Sequence, residues 1–124
     1  MSCPFCAIAP ERVLLESSNV VAFFDSFPIT EGHTLVTPRK HVSSIYELSP
    51  PEQSEVWEIV AKVRTLLMER FEVDSLNIGV NDGVAAGQTV AHAHVHVIPR
   101  RPGDVPDPRG GIRWVVADKA RYWS

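Results

Sequence analysis

The sequence predicts an α+β domain in which an antiparallel β-sheet packs against one long helix. Short segments rich in β-branched and aromatic residues lie on both sides of a single long stretch of helical periodicity. That order, strands then one helix then strands, is typical of α+β folds. The length of 124 residues suits one domain with one hydrophobic core.

Three strands are predicted before the helix. They are Arg12–Glu16, Asn19–Asp25 and His33–Thr37. The polar pair Ser17-Ser18 separates the first two, the loop Phe27–Gly32 leads to the third, and Pro38 ends it.

The long helix has a clear start signal. A short helical turn is expected over Ser43–Leu48, and Ser49 then serves as the N-cap. Pro50 occupies the tolerated first position, and Glu52 completes a capping box. Apolar residues recur on one face of the helix, which predicts core packing. They are Val56, Val60, Val63 and Leu67, with Trp57, Ile59 and Leu66 beside them.

Two strands are predicted after the helix. Ser75–Asn81 is followed by the turn pair Asp82-Gly83, and Val90–Ile98 is the last strand. The tail from Arg100 is rich in Pro, Gly and Arg, and we expect it to run irregularly over the surface.

The last strand carries three of the chain's five histidines, His92, His94 and His96, in alternation with small apolar residues. Alternation on a strand places the three imidazoles on one face, about 6.6 Å apart along the chain. A merely solvated face would be served by Thr or Lys. Imidazole is the natural choice for a nucleophile, an acid or base, or a metal ligand near neutral pH.

Composition limits the class of partner. The apolar fraction of 44% and the charged fraction of 22% are ordinary for a soluble globular protein. No apolar run is long enough for a membrane helix, and the N-terminus lacks a signal-peptide pattern, so we expect a cytoplasmic protein with no membrane partner. The net charge of −3 argues against a broad nucleic-acid surface.

The segment AHAHVHVIPR resembles the motif of the histidine triad family. FFDSFPITEGHTLVTPRKH is similar to the family's first half-site, and NIGVNDGVAAGQTVAHAHVHVIPR to its second. PRRPGD resembles the continuation seen in the dinucleoside polyphosphate hydrolase branch. The likeness extends from Cys3 to about Asp104. We therefore expect a histidine-triad-like nucleotide hydrolase domain over residues 1–104, with residues 105–124 as a C-terminal tail of the same domain.

The resemblance implies hydrolysis at the α-phosphate of an adenosine-type nucleotide through a covalent nucleotidyl-histidine. On this resemblance His94 is the nucleophile. His96 and His33 resemble the histidines that supply donors to the phosphate oxygens. In the transferase branch of the superfamily, Gln stands at the position that corresponds to His96. The presence of His96 therefore favours hydrolysis over transfer. Substrate contacts are implied for Asp25, Phe24, Asn81, Gly87, Gln88 and Thr89.

Several of these residues have simpler interpretations. Asp25 could be a plain strand-end cap, and Asn81 a turn residue before Asp82-Gly83. Either Phe23 or Phe24 is expected in the core, leaving the other as a wall for a base. Arg100 or Arg101 could lie near distal phosphates or serve as solvated surface charge.

The remaining histidines and the two cysteines indicate a second site. Cys3 and Cys6 form CPFC, which resembles a glutaredoxin-type redox site, although such a site needs a strand before it and a helix after it. A second interpretation comes from a subset of the histidine triad family. Its structural zinc site resembles the set Cys3, Cys6, His41 and His92. A closed shell of four protein ligands leaves no open position for chemistry. No organic cofactor is expected.

Other hypotheses stay open at the level of sequence. The favoured substrate is a dinucleoside polyphosphate such as diadenosine tri- or tetraphosphate, with release of AMP. There are three alternatives. The first is a hydrolase of adenosine phosphoramidates or aminoacyl adenylates, and the second is a nucleotide-binding module with negligible turnover. The third is a hydrolase with zinc on all three triad histidines. The resemblance also implies a two-fold homodimer built through the long helix and a sheet edge.

Overall fold

The computed structural model describes residues 3–124 and contains one five-stranded antiparallel sheet and one long helix. The strands are β1 (Val13–Glu16), β2 (Val20–Phe24), β3 (Thr34–Pro38), β4 (Ser75–Val80) and β5 (Val95–Arg100), and the helix is α1 (Pro50–Phe71). The strand order is β1-β2-β3-β5-β4. This architecture confirms the predicted fold class. No helix within residues 3–124 combines the length and the apolar character required to cross a bilayer.

Alternation along the strands divides the sheet into two faces. The helix face packs against α1 and forms the main core. Its residues are Val20, Ala22, Val36, Ile45, Leu48, Val56, Ile59, Val60, Val63, Leu67, Ala93, Val95 and Val97. The opposite face, called here the site face, carries a smaller cluster of Val21, Phe23 and Leu35. The N-terminal segment contributes Phe5 and Ile8 to this second cluster.

Helix α1 begins and ends at identifiable signals. The Ser49 hydroxyl accepts from the Glu52 N–H, and the Glu52 side chain accepts from the Ser49 N–H, which confirms the predicted capping box. The helix ends at Glu72, which adopts the left-handed conformation with φ of 54°. A second capping box, on Ser44 and Glu47, starts the short 3-10 turn Ile45–Glu47 in the predicted region.

The last strand begins later than the sequence predicts. β5 starts at Val95, opposite Val80, so His92 and His94 precede the strand. The reason is that this segment bonds to a distant loop instead of to β4: the Ala93 N–H donates to the carbonyl oxygen of Val42 at 2.7 Å. The three histidines therefore do not share one regular strand face.

The C-terminal tail is more ordered than the sequence predicts. Gly111–Lys119 forms two successive 3-10 segments joined by a kink at Val116. The Arg113 guanidinium donates to the carbonyl oxygens of Lys119 and Ala120, and Ala120 is fully buried. These bonds hold the tail in a compact structure beside β4.

Candidate active site

A cleft of about 330 Å³ opens on the site face and collects most of the predicted residues. Six of them line it: Asp25, Asn81, Gly87, Thr89, His94 and His96. The remaining wall is formed by Pro4, Phe5, Arg12, Phe23, Ser26, Phe27, Leu35 and Val90. A larger cavity of about 530 Å³ lies elsewhere on this face and contains no histidine. The two histidines that line a cavity, His94 and His96, are therefore both in the smaller cleft.

His94 is oriented by the main chain two residues before it. Its Nδ1 lies 2.8 Å from the carbonyl oxygen of His92. Because a carbonyl oxygen can only accept, Nδ1 carries the ring proton and Nε2 keeps its lone pair. The residue is 8% exposed and its ring lines the cleft. In this tautomer His94 has a free nitrogen for nucleophilic attack.

His96 is oriented by a chain of hydrogen bonds that starts in the loop before β3. The Ile29 N–H donates to His33 Nδ1 at 3.2 Å, so His33 carries its proton on Nε2. That Nε2 lies 2.9 Å from His96 Nδ1, which must therefore accept. The proton of His96 is thus placed on Nε2, where it can be donated to a ligand. His33 is 3% exposed and lies behind His96, so it acts through His96 and does not itself face the cleft.

Burial keeps this pair of rings uncharged. It lowers the pKa of His96 to about 4, and the neighbouring rings of His94 and His33 contribute to that shift. Burial also lowers the pKa of His33, against an opposing effect of the Asp25 carboxylate. At neutral pH His96 is therefore a neutral hydrogen-bond donor and not an imidazolium.

Asp25 combines two of the roles considered from sequence. Its Oδ1 accepts from the Phe27 N–H at 2.9 Å, which is the strand-end cap. Its Oδ2 lies 3.5 Å from His33 Nε2, and the side chain lines the cleft. The capping bond fixes the carboxylate and leaves Oδ2 available to accept from a ligand.

The structure assigns the two phenylalanines of β2 to opposite faces. Phe23 lies on the site face, lines the cleft and packs against Phe5 at 5.5 Å between ring centroids. Phe24 lies on the helix face, where its ring meets Phe71 at 6.2 Å. Strand alternation therefore places Phe23, which is fully buried, on the site face and the half-buried Phe24 on the helix face, and contact of either ring with a base stays a prediction.

The Gly87–Thr89 turn contributes to the cleft through Gly87 and Thr89 only. The Gln88 side chain is fully engaged in bracing the loop: its Nε2 donates to the carbonyl oxygens of Ser43 and Val90, and its Oε1 accepts from the Gly83 N–H. Gln88 does not line the cleft, and its predicted substrate contact stays a prediction. Gly87 adopts φ of 97°, which a residue with a side chain rarely does.

Two cleft residues were missed by reasoning from the sequence. The Phe5 ring lines the cleft, with its centroid 5.1 Å from that of His94. Arg12 donates to Ser26 Oγ and lies over the Phe23 ring at 5.3 Å. An aromatic residue between the two cysteines of CPFC was the only available signal for Phe5. For Arg12 no sequence signal existed, because its position depends on the β1–β2 pairing.

The two arginines after β5 lie on different faces. Arg100 is on the site face, where Asp104 and Asn77 accept hydrogen bonds from its guanidinium. Arg101 lies on the helix face, 5.9 Å from the Phe71 ring. Neither guanidinium lines the cleft, so the expected proximity to distal phosphates is not observed for either residue.

The predicted metal ligands converge at the base of the N-terminal arm, which we define as residues 3–9. The Nδ1 atoms of His41 and His92 are 3.2 Å apart, Cys6 Sγ lies 3.1 and 3.6 Å from them, and Cys3 Sγ lies 3.4 Å from His92 Nδ1. Tetrahedral zinc with ordinary Zn–S and Zn–N bonds has edges of roughly 3.3–3.8 Å, so the four donors fit that ion. His92 Nε2 donates to the carbonyl oxygen of Pro38 at 2.7 Å, which frees Nδ1 for the metal. Both cysteines are free thiols, and within residues 3–124 no long helix directly follows Cys6 as a glutaredoxin-type site requires.

A second cluster of metal-ligand residue types, Asp25, His33 and His96, does not suit an ion. A neutral histidine that binds metal through Nε2 must carry a proton on Nδ1. In His33 that proton would point at the Ile29 N–H, 3.2 Å away. His92, moreover, directs its Nδ1 toward the cysteines and away from His94 and His96. This geometry disfavours the hypothesis of one zinc ion on all three triad histidines.

Comparison with known proteins gives consistent matches. A family model described as HIT domain matches residues 7–103. Protein hit of Bacillus subtilis is 37% identical over 103 residues, which cover 80% of this chain and 71% of that protein. An asymmetrical bis(5'-nucleosyl)-tetraphosphatase of Schizosaccharomyces pombe is 43% identical over 93 residues, which cover 75% of this chain and 51% of that protein, so the chain spans about half the length of this relative. The crystal structure of a Zn-bound histidine triad family protein from Mycobacterium smegmatis has a TM-score of 0.75 and 36% identity, and the match covers 94% of this chain and 91% of that one.

Proposed function

This chain belongs to the HIT domain family, and from that premise we propose that it is a nucleotide hydrolase that cleaves at the α-phosphate through a covalent nucleotidyl-histidine on His94. The observation that carries the proposal is the His94 tautomer. Its Nδ1–H is bonded to the His92 carbonyl oxygen, which leaves Nε2 unprotonated in a residue that lines a nucleotide-sized cleft.

The reaction is proposed in two displacements. His94 Nε2 attacks the α-phosphorus, a P–N bond forms, and the bond to the bridging oxygen breaks with its electron pair on the leaving phosphate. Water then attacks the same phosphorus, the P–N bond breaks, and AMP leaves with His94 restored. Two moderate barriers replace one high barrier, because a phosphoramidate is more labile than a phosphoanhydride attacked directly by water.

Donors around the cleft are proposed to stabilise the charge that develops on the phosphate oxygens. His96 supplies its Nε2–H as a neutral donor, held in that tautomer by His33. Thr89 and Gly87 lie on the same wall and offer a hydroxyl and backbone N–H groups. Arg12 contributes the one positive charge among the cleft residues within 3–124.

The nucleoside is proposed to bind against the aromatic side of the cleft. Phe5 and Phe23 provide the apolar wall for the base. Asp25 is placed to accept from the ribose hydroxyls, and Asn81 lies on the same cleft. The Asp25 cap to Phe27 supports this role because it fixes the carboxylate before substrate arrives.

We also propose a structural zinc ion on Cys3, Cys6, His41 and His92. Two features support it: the donor distances match the edges of a tetrahedral site, and the second ring nitrogen of His92 is held by a carbonyl oxygen. An ion there would pin the N-terminal arm, and Phe5 with it, against the cleft. The similar protein from Mycobacterium smegmatis is itself Zn-bound.

Dinucleoside polyphosphates are the proposed substrates. The similarity to an asymmetrical tetraphosphatase supports this choice, as does the PRRPGD segment. An adenosine phosphoramidate or aminoacyl adenylate would undergo the same transfer of AMP to His94 and differs only in the leaving group, so the choice rests on relative rates.

The test is release of AMP from diadenosine tri- and tetraphosphate and from adenosine 5′-phosphoramidate, measured by chromatography. His94→Asn keeps a side-chain donor for the His92 carbonyl oxygen and removes the nucleophile, so we expect kcat to fall roughly 10⁴-fold or more. The relative kcat/KM of the wild type then identifies the preferred leaving group.

The control is metal content, measured on the same protein samples. His94→Asn should retain zinc, because His94 lies outside the four-donor cluster. Equal AMP release by the two proteins would show that His94 is not the nucleophile. No release from any substrate by folded, zinc-containing wild type would favour a nucleotide-binding module.

A further inference from the structure

The larger of the two cavities described above, of about 530 Å³, has no role in the chemistry proposed for His94. We call it the tail cavity and define it by Ile29, Ile98, Asp104, Val105, Asp107 and Trp114. We propose that the tail cavity binds the second nucleoside of a dinucleoside polyphosphate, the one that departs with the leaving group. This inference rests on the proposed function and adds to it a binding site for the leaving nucleoside.

The tail cavity begins where the catalytic cluster ends. Ile98 follows His96 by two residues on the same face of β5, a separation of about 6.6 Å along the strand. Ile29 lines the cavity, and its N–H holds His33 in the catalytic chain of hydrogen bonds. The catalytic cleft of about 330 Å³ is at the lower end of the range for small-molecule sites, so it suits one nucleotide. A second nucleoside must lie outside it, and the tail cavity is the adjoining space.

The walls of the tail cavity suit a planar aromatic ligand. Ile29 and Ile98 are apolar, and Trp114 presents an indole that is 41% exposed. The indole is fixed before any ligand arrives, because its Nε1–H donates to the carbonyl oxygen of Arg109 at 2.8 Å. A fixed, partly exposed indole is a stacking surface for a nucleobase, and each such stack is typically worth a factor of five to about 150 in affinity.

The charges in the tail cavity exclude phosphate as its occupant. Arg100 is the one cation lining the cavity within residues 3–124, and its guanidinium is engaged by both oxygens of Asp104 and by Asn77. Asp107 is in turn held by Arg109 at 3.0 Å. No guanidinium is left to receive a phosphate, whereas the carboxylates can still accept from neutral donors such as a base amino group or ribose hydroxyls. The cavity therefore suits the nucleoside and leaves the phosphate bridge to the catalytic side.

The proposal is tested by comparing two substrates that share the AMP transfer and differ in the leaving group. Diadenosine tetraphosphate carries a second nucleoside, and adenosine 5′-phosphoramidate does not. Trp114→Ala removes the stacking surface, and Val105→Trp fills the cavity. We expect each variant to lower kcat/KM for the tetraphosphate roughly tenfold and to leave kcat/KM for the phosphoramidate within about twofold of wild type.

The control is Tyr46→Ala, because Tyr46 is an exposed aromatic residue that lies in the 3-10 turn Ile45–Glu47, outside both cavities and outside α1. It should leave kcat/KM unchanged for both substrates. Equal losses for both substrates in Trp114→Ala and Val105→Trp, or no loss for either, would overturn the proposal.

Failure of the proposed function gives a different result. If wild type hydrolyses neither substrate, calorimetry with a methylene-bridged analogue of diadenosine tetraphosphate and with AMP decides the question. Weaker binding of the bridged analogue alone by Trp114→Ala would support the tail cavity as a nucleoside site. Unchanged affinity for that analogue would reject it.

Discussion

The position of one proton on each imidazole decides what the histidines of this protein can do. His94 has its proton on Nδ1 because a carbonyl oxygen accepts it, whereas His96 has its proton on Nε2 because His33 donates to Nδ1. One ring can therefore attack phosphorus and its neighbour can donate to a phosphate oxygen. The ring centroids are only 5.1 Å apart, so the difference arises from hydrogen-bond partners and not from separate environments.

Substitution of His33 tests this assignment without altering the cleft wall. In His33→Leu the donor to His96 Nδ1 is lost, and we expect kcat to fall roughly 100-fold with little change in KM, since an acid–base partner typically contributes that much or more. His33→Gln places an amide N–H near the position of Nε2 and should recover most of that loss. Equal activity of the two variants would contradict a donor role for His33. Steady-state kinetics of AMP release is the measurement.

The low pKa of His96 predicts how stability depends on pH. An unfolded histidine titrates near 6.5, and burial lowers the pKa of His96 in the folded protein to about 4. Between these values the unfolded chain binds a proton that the folded chain does not, so the free energy of unfolding should fall as pH decreases below about 6.5 and level off near pH 4. Above pH 6.5 this effect is absent.

His96→Asn isolates the contribution of this residue from those of the metal site and the other histidines. The urea midpoint of the variant should change less than that of wild type between pH 7 and pH 5. Parallel curves for the two proteins would mean that His96 is not held neutral by the fold.

At the scale of the elements, the N-terminal arm has few interactions of its own. It consists of turns and meets the sheet mainly through Phe5 and Ile8. We expect Cys6→Ser to lose zinc, to lower Tm by roughly 5 °C or more, and to raise KM, because Phe5 would no longer be fixed against the cleft. Elemental analysis, thermal unfolding and kinetics measure the three effects. Phe5→Leu serves as the control, since it should raise KM and retain the metal.

Two serines of helix α1 and its cap should respond differently to replacement by alanine, as measured by the free energy of unfolding. Ser49 caps the helix, so Ser49→Ala should destabilise the protein by about 1 kcal/mol. Ser54 lies exposed within the helix, where Ala is the better helix former, so Ser54→Ala should be neutral or slightly stabilising. Urea unfolding of both variants decides. A loss of stability at Ser54 as large as at Ser49 would contradict the capping assignment.

At the scale of the whole molecule, β4 lies at one edge of the sheet and leaves half of its backbone groups without a strand partner. Ile78 on this strand is 36% exposed. We expect a second copy of the chain to pair along this edge, together with α1, in a two-fold dimer, because an apolar edge strand favours association. Ile78→Lys should then shift the sedimentation coefficient from dimer to monomer. A wild type that sediments as a monomer and remains active would exclude this assembly.

The general architecture could be predicted from the sequence because its signals are local. The capping box on Ser49 and the short runs of strand-forming residues in β2 and β3 act within a few residues, and the structure confirms the capping box and both strands. The start of β5 could not be predicted, because it depends on a bond from Ala93 to Val42, 51 positions away along the chain. The order in the tail depends similarly on Arg113 reaching Ala120.

The candidate residues could be identified from the sequence by residue type, whereas the directions of their side chains could not. The histidines, Asp25 and the cysteine pair carry characteristic chemistry in their spacing, and the structure brings them together in the two expected clusters. Gln88 and Phe24 were assigned to the substrate, but their side chains brace a loop and pack on the helix face. The direction in which a side chain points depends on tertiary contacts, which spacing alone does not contain.

His92 connects the two clusters described above, the one with the cysteines and the one that contains His94. Its imidazole belongs to the cluster of cysteines and histidines, and its carbonyl oxygen accepts a hydrogen bond from the Nδ1–H of His94. A shift of the His92 main chain would therefore move both the ring that faces Cys3 and the acceptor of the His94 Nδ1–H. Coupling of this kind is reciprocal in free energy. If a bound metal favours the reactive tautomer of His94, a nucleotidyl group on His94 must change the affinity for the metal by the same factor. The rate of nucleotide hydrolysis would then depend on the zinc supply of the cell.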